Sequence, residues 1–302
     1  HGVRFAPSPT GAFHVGNLRT AWLSWKIAEQ LEQTWVVRIE DIDKARVKEE
    51  SWTDPNIGQL ADLHKLSLFP DQLVRQSEHY TRHEKLFRKA IAEDRVYPCD
   101  CSRSDVKTAL AGFASAPHER EPQYSGHCRN ADKTRTLNPV ETIAWRWKAD
   151  DPSGHFDAVI ARTRLDGSEF QPGYHFACAV DDADGAYRFL VRAWDLAPAE
   201  EIQKQIRRWV SPQKSARVFH CALVTQENGN RLEKRTKGVT LAELKLAGIA
   251  PTDLIEKFAA SANMQKIVDD ILAWEKTEAG QANALLGEVH KTIALSELSI
   301  RI

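Results

Sequence analysis

The first forty residues of the chain restrict its fold more than any other stretch. A short extended run, Val3-Arg4-Phe5-Ala6, ends at Pro7-Ser8-Pro9-Thr10-Gly11, which can neither prolong a strand nor start a helix early. After His14-Val15-Gly16-Asn17, the residues Leu18, Ala21, Trp22, Trp25, Ala28 and Leu31 recur at three- and four-residue steps. That spacing predicts an amphipathic helix over 18–31. Trp35-Val36-Val37-Arg38-Ile39 is then β-rich and contiguous, as a buried parallel strand is. Strand, helix, strand in this order predicts a parallel α/β sheet with right-handed crossovers. The turn into the helix offers free N–H groups and the positive end of a helix dipole, which suit a phosphate. Gly16 would let a ring or phosphate approach the backbone, with His14 and Asn17 as donors one turn apart.

Further along, helices are expected at 54–66 and 80–94. From 97 to 130 the rhythm breaks, with cysteines, Pro117, Pro122 and Gly126 and little periodicity. Extended runs resume at 142–148, 156–162, 175–180 and 187–192, followed by a helix near 200–210 and a strand at 218–224. After Gly238 the pattern is purely helical, with Pro251 placed for a first turn. The division is therefore 1–96 and 136–238 as two halves of one α/β body, 97–135 as an insertion, and 239–302 as a small helical region.

Length and charge limit the function classes. With 302 residues there is room for two domains and a real core. Lys plus Arg is 41 and Asp plus Glu 42, a net charge of −1 that excludes a histone-like binder or an acidic disordered tail. No apolar run approaches the ~18 residues of a membrane span, so no membrane partner is expected. The cysteine count of 5 is odd and argues against a secreted disulfide scaffold. A reducing, cytoplasmic compartment and a monomer are the expectation.

Two segments together point to a family. Arg4 through Gly11 with His14-Val15-Gly16-Asn17 resembles the first signature of class I aminoacyl-tRNA synthetases, and within them the glutamyl group, whose chains open Arg-Phe-Ala-Pro-Ser-Pro-(Thr/Ser)-Gly. Arg38-Ile39-Glu40-Asp41-Ile42-Asp43 is similar to that group's Arg-Ile-Glu-Asp-x-Asp. Singly these are a capped turn and a solvated acidic loop; the joint match carries the resemblance. The expected fold is a Rossmann-like class I catalytic domain with an inserted zinc-bearing segment.

The resemblance implies a pocket for glutamate lined by Arg4, Ser8, Glu40, Tyr174 and Arg192. Arg4 offers a planar fork for a carboxylate and Glu40 a counter-charge for an ammonium group. It also implies that His14, Gly16 and Asn17 hold ATP, which arrives with Mg2+. Arg231-Leu232-Glu233-Lys234-Arg235 stands where the family has Lys-Leu-Ser-Lys-Arg, after the 218–224 strand and the turn Glu227-Asn228-Gly229-Asn230. Lys234 is thus the residue expected to stabilise the leaving phosphates, and His14, Asn17 and Lys234 form the expected catalytic set. Two positions depart from the family pattern: Glu233 replaces a serine, and Ala193 a glycine.

Cys99-Asp100-Cys101 and Tyr124-Ser125-Gly126-His127-Cys128 offer three thiolates plus a phenol or imidazole, a donor set for a closed tetrahedral zinc site. Ligand chemistry alone nominates His127 as the fourth ligand. However, Cys-x-Cys, a loop and Tyr-x-Gly-x-Cys-Arg resemble the glutamyl-Q tRNA(Asp) synthetases, which implies Cys99, Cys101, Tyr124 and Cys128. The chain also stops where the anticodon-reading region of a full glutamyl-tRNA synthetase would begin. Lys204, Arg207, Arg208, Lys214 and Arg217 form a basic strip that could meet RNA phosphates. The implied activity is activation of glutamate with ATP and its transfer to queuosine in the anticodon of tRNA(Asp). Two alternatives stay open at this point: a short glutamyl-tRNA synthetase charging a tRNA 3′ end, and a catalytically weakened paralogue that binds RNA.

Overall fold

Strands and helices alternate through the first part of the chain, in the order its apolar periodicity dictates. The computed structural model describes residues 2–101, 124–131, 137, 141–185, 187–213, 216–229, 232, 239–276 and 286–300. In chain order these hold β1 (Gly2–Phe5), α1 (Val15–Gln30), β2 (Thr34–Ile39), α2 (Glu50–Thr53), α3 (Gln59–Lys65), β3 (Gln72–Arg75), α4 (Tyr80–Ala92) and β4 (Val96–Cys99). Next come β5 (Thr142–Trp147), β6 (Val159–Arg164), β7 (Gln171–Pro172), α5 (Tyr174–Asp184), β8 (Tyr187–Ala193) and α6 (Glu200–Val210). The remainder are β9 (Arg217–Cys221), β10 (Leu223–Thr225), α7 (Leu241–Leu246), α8 (Pro251–Ala260), α9 (Met264–Lys276), β11 (Leu286–Gly287) and β12 (Thr292–Ala294). No described helix is long and apolar enough to cross a membrane.

The chain forms two compact units that interleave in sequence. The first comprises His1–Ser77, Ala186–Pro198 and Ala216–Ile302, and the second Glu78–Gly185 and Ala199–Ser215. The first unit is built on a parallel sheet of order β11-β9-β8-β1-β2-β3. Val3, Phe5, Trp35, Val37, Phe189, Val191 and Phe219 on one face of this sheet pack with Leu18, Trp22 and Ile27 of α1. The second unit carries an antiparallel sheet, β4-β5-β6-β7. Its core gathers Phe87, Trp147, Ile160, Phe176 and Ile206.

Several expectations change here. The apolar run at 175–180 is not extended: it lies within α5, because Gly173 supplies an extended N-cap and Ala177, Ala179 and Ala183 favour helix. A short apolar run does not by itself separate a buried strand from a buried helix. The runs at 142–148 and 156–162 form β5 and β6, but in the second unit's antiparallel sheet rather than in the parallel one. The stretch 239–302 is not purely helical. β11 adds to the first sheet beside β9, and β12 pairs with β10. One further strand, β3, pairs with β2 although Gln72-Leu73-Val74-Arg75 has no strong β pattern.

Buried charge closes the first unit. Arg19 of α1, 1% exposed, donates through both terminal nitrogens to Glu288 at 2.7 Å. Glu288 also accepts from the Ala222 amide at 2.7 Å. The segment after α9 is thereby clamped to the first helix.

Candidate functional site

Ligands of parallel α/β sheets bind beyond the carboxyl ends of the strands, where the strand order reverses. Here that point is β1, with β2 on one side and β8 on the other. The loops leaving β1 and β2 are stitched together there. The Glu40 amide donates to the Pro7 carbonyl at 2.9 Å, and the Lys48 amide to the Pro9 carbonyl at 2.9 Å. Gln59 of α3, buried, donates through Nε2 to the Ser8 carbonyl at 3.0 Å and the Gly11 carbonyl at 2.7 Å. It braces both ends of the proline loop.

His14 caps α1. Its Nδ1 accepts from the Gly16 amide at 3.1 Å and the Asn17 amide at 3.4 Å, while Asn17 Oδ1 accepts from the His14 amide at 3.3 Å. The Val15 amide donates to the Val239 carbonyl at 2.8 Å. The expectation of free amides for a phosphate is therefore corrected: His14 and Val239 already occupy the first turn. What this helix end still offers an anion is its dipole and the side chains of His14 and Asn17. With Nδ1 accepting, a neutral His14 carries its proton on Nε2. Gly16 makes room for this cap, since a Cβ there would sit 3.0 Å from His14 Cε1 and 3.1 Å from Nδ1.

The same helix end meets the chain just before α7. His14 and Thr240 form an isolated antiparallel bridge, and Thr240 caps α7. Leu232 and Val239 are both buried in the first unit's core. Lys234 and Glu233 lie outside the described residues.

Strand register gathers the arginines. Arg4 pairs with Val36 on one side and Leu190 on the other. Arg38 and Arg192 lie two residues beyond those partners, so all three side chains leave the same face of the sheet, opposite the face α1 covers. Arg4, Arg38 and Arg192 are 4%, 0% and 5% exposed. Burying several guanidinium groups on one face is costly unless anions meet them. Glu40 is one such anion. Arg38 Nη2 lies 3.2 Å from its Oε1, and Ser8 Oγ donates to Oε2 at 3.5 Å. Arg38 is a site residue that sequence reasoning passed over, because its burial follows from strand pairing. His220, paired in register with Arg192, is pushed down to about 4 by burial and by the Arg192 charge, so it is neutral at pH 7. Its ring stacks on Trp194 at 5.0 Å.

The other expected residues are distributed differently. Tyr174 opens α5 in the second unit and is 40% exposed. Ala193 is the last residue of β8, in register with Cys221. Two arginines of the basic strip are taken up by carboxylates. Arg207 is buried against Glu200 at 2.6 Å and Arg217 is paired with Glu275 at 2.6 Å, while Arg208 is exposed. Lys214 lies outside the described residues.

In the second unit, Cys99, Cys101 and Cys128 bring their sulfurs within 4.8 Å of one another. Cys101 and Cys128 are 3.4 Å apart, close to the roughly 3.7 Å edge of a tetrahedron with ~2.3 Å zinc–sulfur bonds. The Tyr124 hydroxyl stands 3.6 Å from Cys99 Sγ and accepts from the Cys128 amide at 2.7 Å. His127 is exposed. Asp100, a residue the Cys-x-Cys pattern ignores, brings Oδ1 to 3.7 Å from Cys128 Sγ. The Cys99 thiol is held below the ordinary thiol range, because Cys128 and then Arg146 hydrogen-bond to it against the cost of burial. Soft donors, tight spacing and an available thiolate suit a zinc ion.

Known proteins are similar to this chain in sequence and in fold. Residues 2–267 match the family model of class I tRNA synthetases (E and Q), catalytic domain. The chain is 33% identical over 269 residues to a glutamyl-Q tRNA(Asp) synthetase of Deinococcus radiodurans, covering 85% of this chain and 87% of that protein. It is 29% identical to glutamate–tRNA ligase 2 of Helicobacter hepaticus, covering 86% of this chain and 59% of the ligase. Its fold is similar to that of a glutamate tRNA ligase from Elizabethkingia meningosepticum, solved with its amino acid, at a TM-score of 0.63 and 22% identity over 85% of this chain and 59% of that one. With its parallel sheet, its capped first helix and this match across most of its length, the chain belongs to the class I tRNA synthetases of the glutamyl and glutaminyl type.

Proposed function

We propose that this protein activates glutamate with ATP and transfers it to queuosine in the anticodon of tRNA(Asp). The observation that carries the first half is the set of buried arginines on one sheet face: Arg4 and Arg192 meet the carboxylates of a small dianionic amino acid, and Glu40, held by Arg38 and Ser8, meets its ammonium group. An oxygen of the glutamate α-carboxylate attacks the α-phosphorus of ATP, and pyrophosphate leaves with the electron pair of the broken P–O bond. His14 Nε2–H and the Asn17 side-chain Nδ2–H donate to the phosphates, Gly16 lets the nucleotide close, and Lys234 offsets charge on the departing pyrophosphate. Mg2+ enters as part of the ATP substrate. A hydroxyl of the acceptor then attacks the acyl carbon and AMP departs.

Cys99, Cys101, Tyr124 and Cys128 would hold zinc, which when bound supplies a structural crosslink and no chemistry at the pocket. The acceptor assignment is supported by relatives that carry the glutamyl-Q name. Relatives named glutamate–tRNA ligase support a second reading, transfer to the 3′ end of tRNA(Glu). Glutamate-dependent exchange of labelled pyrophosphate into ATP tests activation, which a weakened paralogue would lack. Labelled glutamate offered to tRNA(Asp) with and without queuosine, and to tRNA(Glu), tests the acceptor.

A further inference from the structure

Arg146 lies in the middle strand pair of the second unit's sheet, opposite Tyr97, and is 8% exposed. A guanidinium is charged at every pH a protein survives, so burying one requires an anion or a full set of acceptors. Its nearest carboxylate neighbour does not serve. Asp157 gives its carboxylate to Arg129 at 2.7 Å, to the Tyr97 hydroxyl at 2.7 Å and to the Ala149 amide at 2.8 Å. Arg146 takes only the Asp157 backbone carbonyl, through Nη1 at 2.7 Å.

Among the described residues, the other contacts of the group face the cysteine cluster. Nε donates to Cys99 Sγ at 3.2 Å, and Cζ sits 3.6 Å from the centroid of the Tyr124 ring. One planar group thus holds one sulfur at its edge and the phenol ring against its face, while the Asp157 carbonyl fixes its rotation. Three thiolates around a doubly charged ion leave an excess of negative charge, and a phenolate ligand would add to it. A buried fixed cation at this distance reduces the cost of assembling such a set.

We infer that Arg146 is the charge-compensating, positioning partner of the Cys99–Cys101–Tyr124–Cys128 site, holding Cys99 and Tyr124 in place and raising the site's affinity for a thiophilic divalent ion. This rests on the zinc reading above. The effect of Arg146 is read on the metal.

The test uses the full chain as wild type, Arg146→Met and Arg146→Lys. Zinc content is measured, zinc affinity follows from chelator competition, and the absorption spectrum of the Co2+-substituted forms reports the ligand field. Wild type should hold about one equivalent of zinc. Arg146→Met should bind zinc roughly 10- to 100-fold more weakly, the range typical of lost outer partners, with a changed Co2+ spectrum. Arg146→Lys keeps the charge but not the fork, and should recover part of the affinity. Wild-type affinity and spectrum in Arg146→Met would overturn the inference while leaving the zinc site intact. If Arg146→Met does not fold, Arg146→Lys decides: an unchanged affinity and spectrum there overturns the inference, and a weakened one supports it. A wild-type protein that binds neither Zn2+ nor Co2+ overturns the zinc reading, and this inference with it.

Discussion

The Val15 amide donates to the Val239 carbonyl at 2.8 Å, which ties the first residue of α1 to the residue that follows the basic segment. The start of α1 and the residue just before the Thr240 cap of α7 are therefore anchored to each other through the backbone. Disturbing this joint from the helix side should therefore also be felt where the chain enters α7.

Gly16→Ala tests that joint from the helix side. The added Cβ would press on the His14 ring at 3.0 Å, and overpacking of this kind costs about 1–3 kcal/mol. Rotating His14 away breaks its cap on the Gly16 and Asn17 amides. Pyrophosphate exchange should slow by roughly tenfold or more, with KM for ATP rising more than KM for glutamate. Equal effects on both KM values would contradict the cap's role in holding ATP.

Arg4→Gln and Arg192→Gln should act on glutamate. Losing a charged hydrogen bond to a buried carboxylate is worth about 1.5–3 kcal/mol, so KM for glutamate should rise roughly 10- to 100-fold. Lys234→Ala should instead lower kcat, by roughly 100-fold, with little change in KM. An unaltered kcat in Lys234→Ala would remove the 231–235 segment from the catalytic machinery.

Glu288→Gln should be among the most destabilising single changes. Arg19 is held above the usual arginine range: burial opposes its charge, but the hydrogen bonds and charge of Glu288 outweigh that. Taking the carboxylate away leaves a buried guanidinium unneutralised, at a cost of ~3–5 kcal/mol. Urea unfolding measures this, and a loss below about 1 kcal/mol would show that the pair is not what closes the first unit.

The pH dependence of stability has one identifiable contributor in His220. Its folded pKa of about 4 lies below the ordinary 6.5, so between those values the unfolded chain binds a proton that the folded one refuses. Stability must therefore fall as pH drops from about 6.5 towards 4, by up to roughly 3 kcal/mol from this residue. His220→Gln should flatten that part of the curve relative to wild type. Identical slopes in the two proteins would place the acid sensitivity elsewhere.

What the sequence disclosed followed locality. β1, α1, β2 and the turns between them were readable because proline, glycine and apolar spacing act within a few residues. The signature residues Arg4, His14, Gly16 and Glu40 fall in that stretch. α5 was misread because an apolar run without polar punctuation suits either buried element. β3, β11 and β12 are short and gain their stability from partners far away in the chain, which no local pattern reports. The same holds for polar residues whose importance lies in burial: Gln59, Arg146 and Glu288 look like ordinary surface residues until their partners are known. Likewise the pairing of Arg207 with Glu200 and of Arg217 with Glu275 depends on partners that no local charge pattern reports.

The acceptor decides the central claim. Purified protein, ATP and labelled glutamate are incubated with tRNA(Asp) containing queuosine, with the same tRNA lacking it, and with tRNA(Glu), and the labelled fragment is mapped after nuclease digestion. Label on the anticodon fragment of queuosine-containing tRNA(Asp), and on neither of the other RNAs, is the expected result; label on the 3′-terminal fragment of tRNA(Glu) would contradict it.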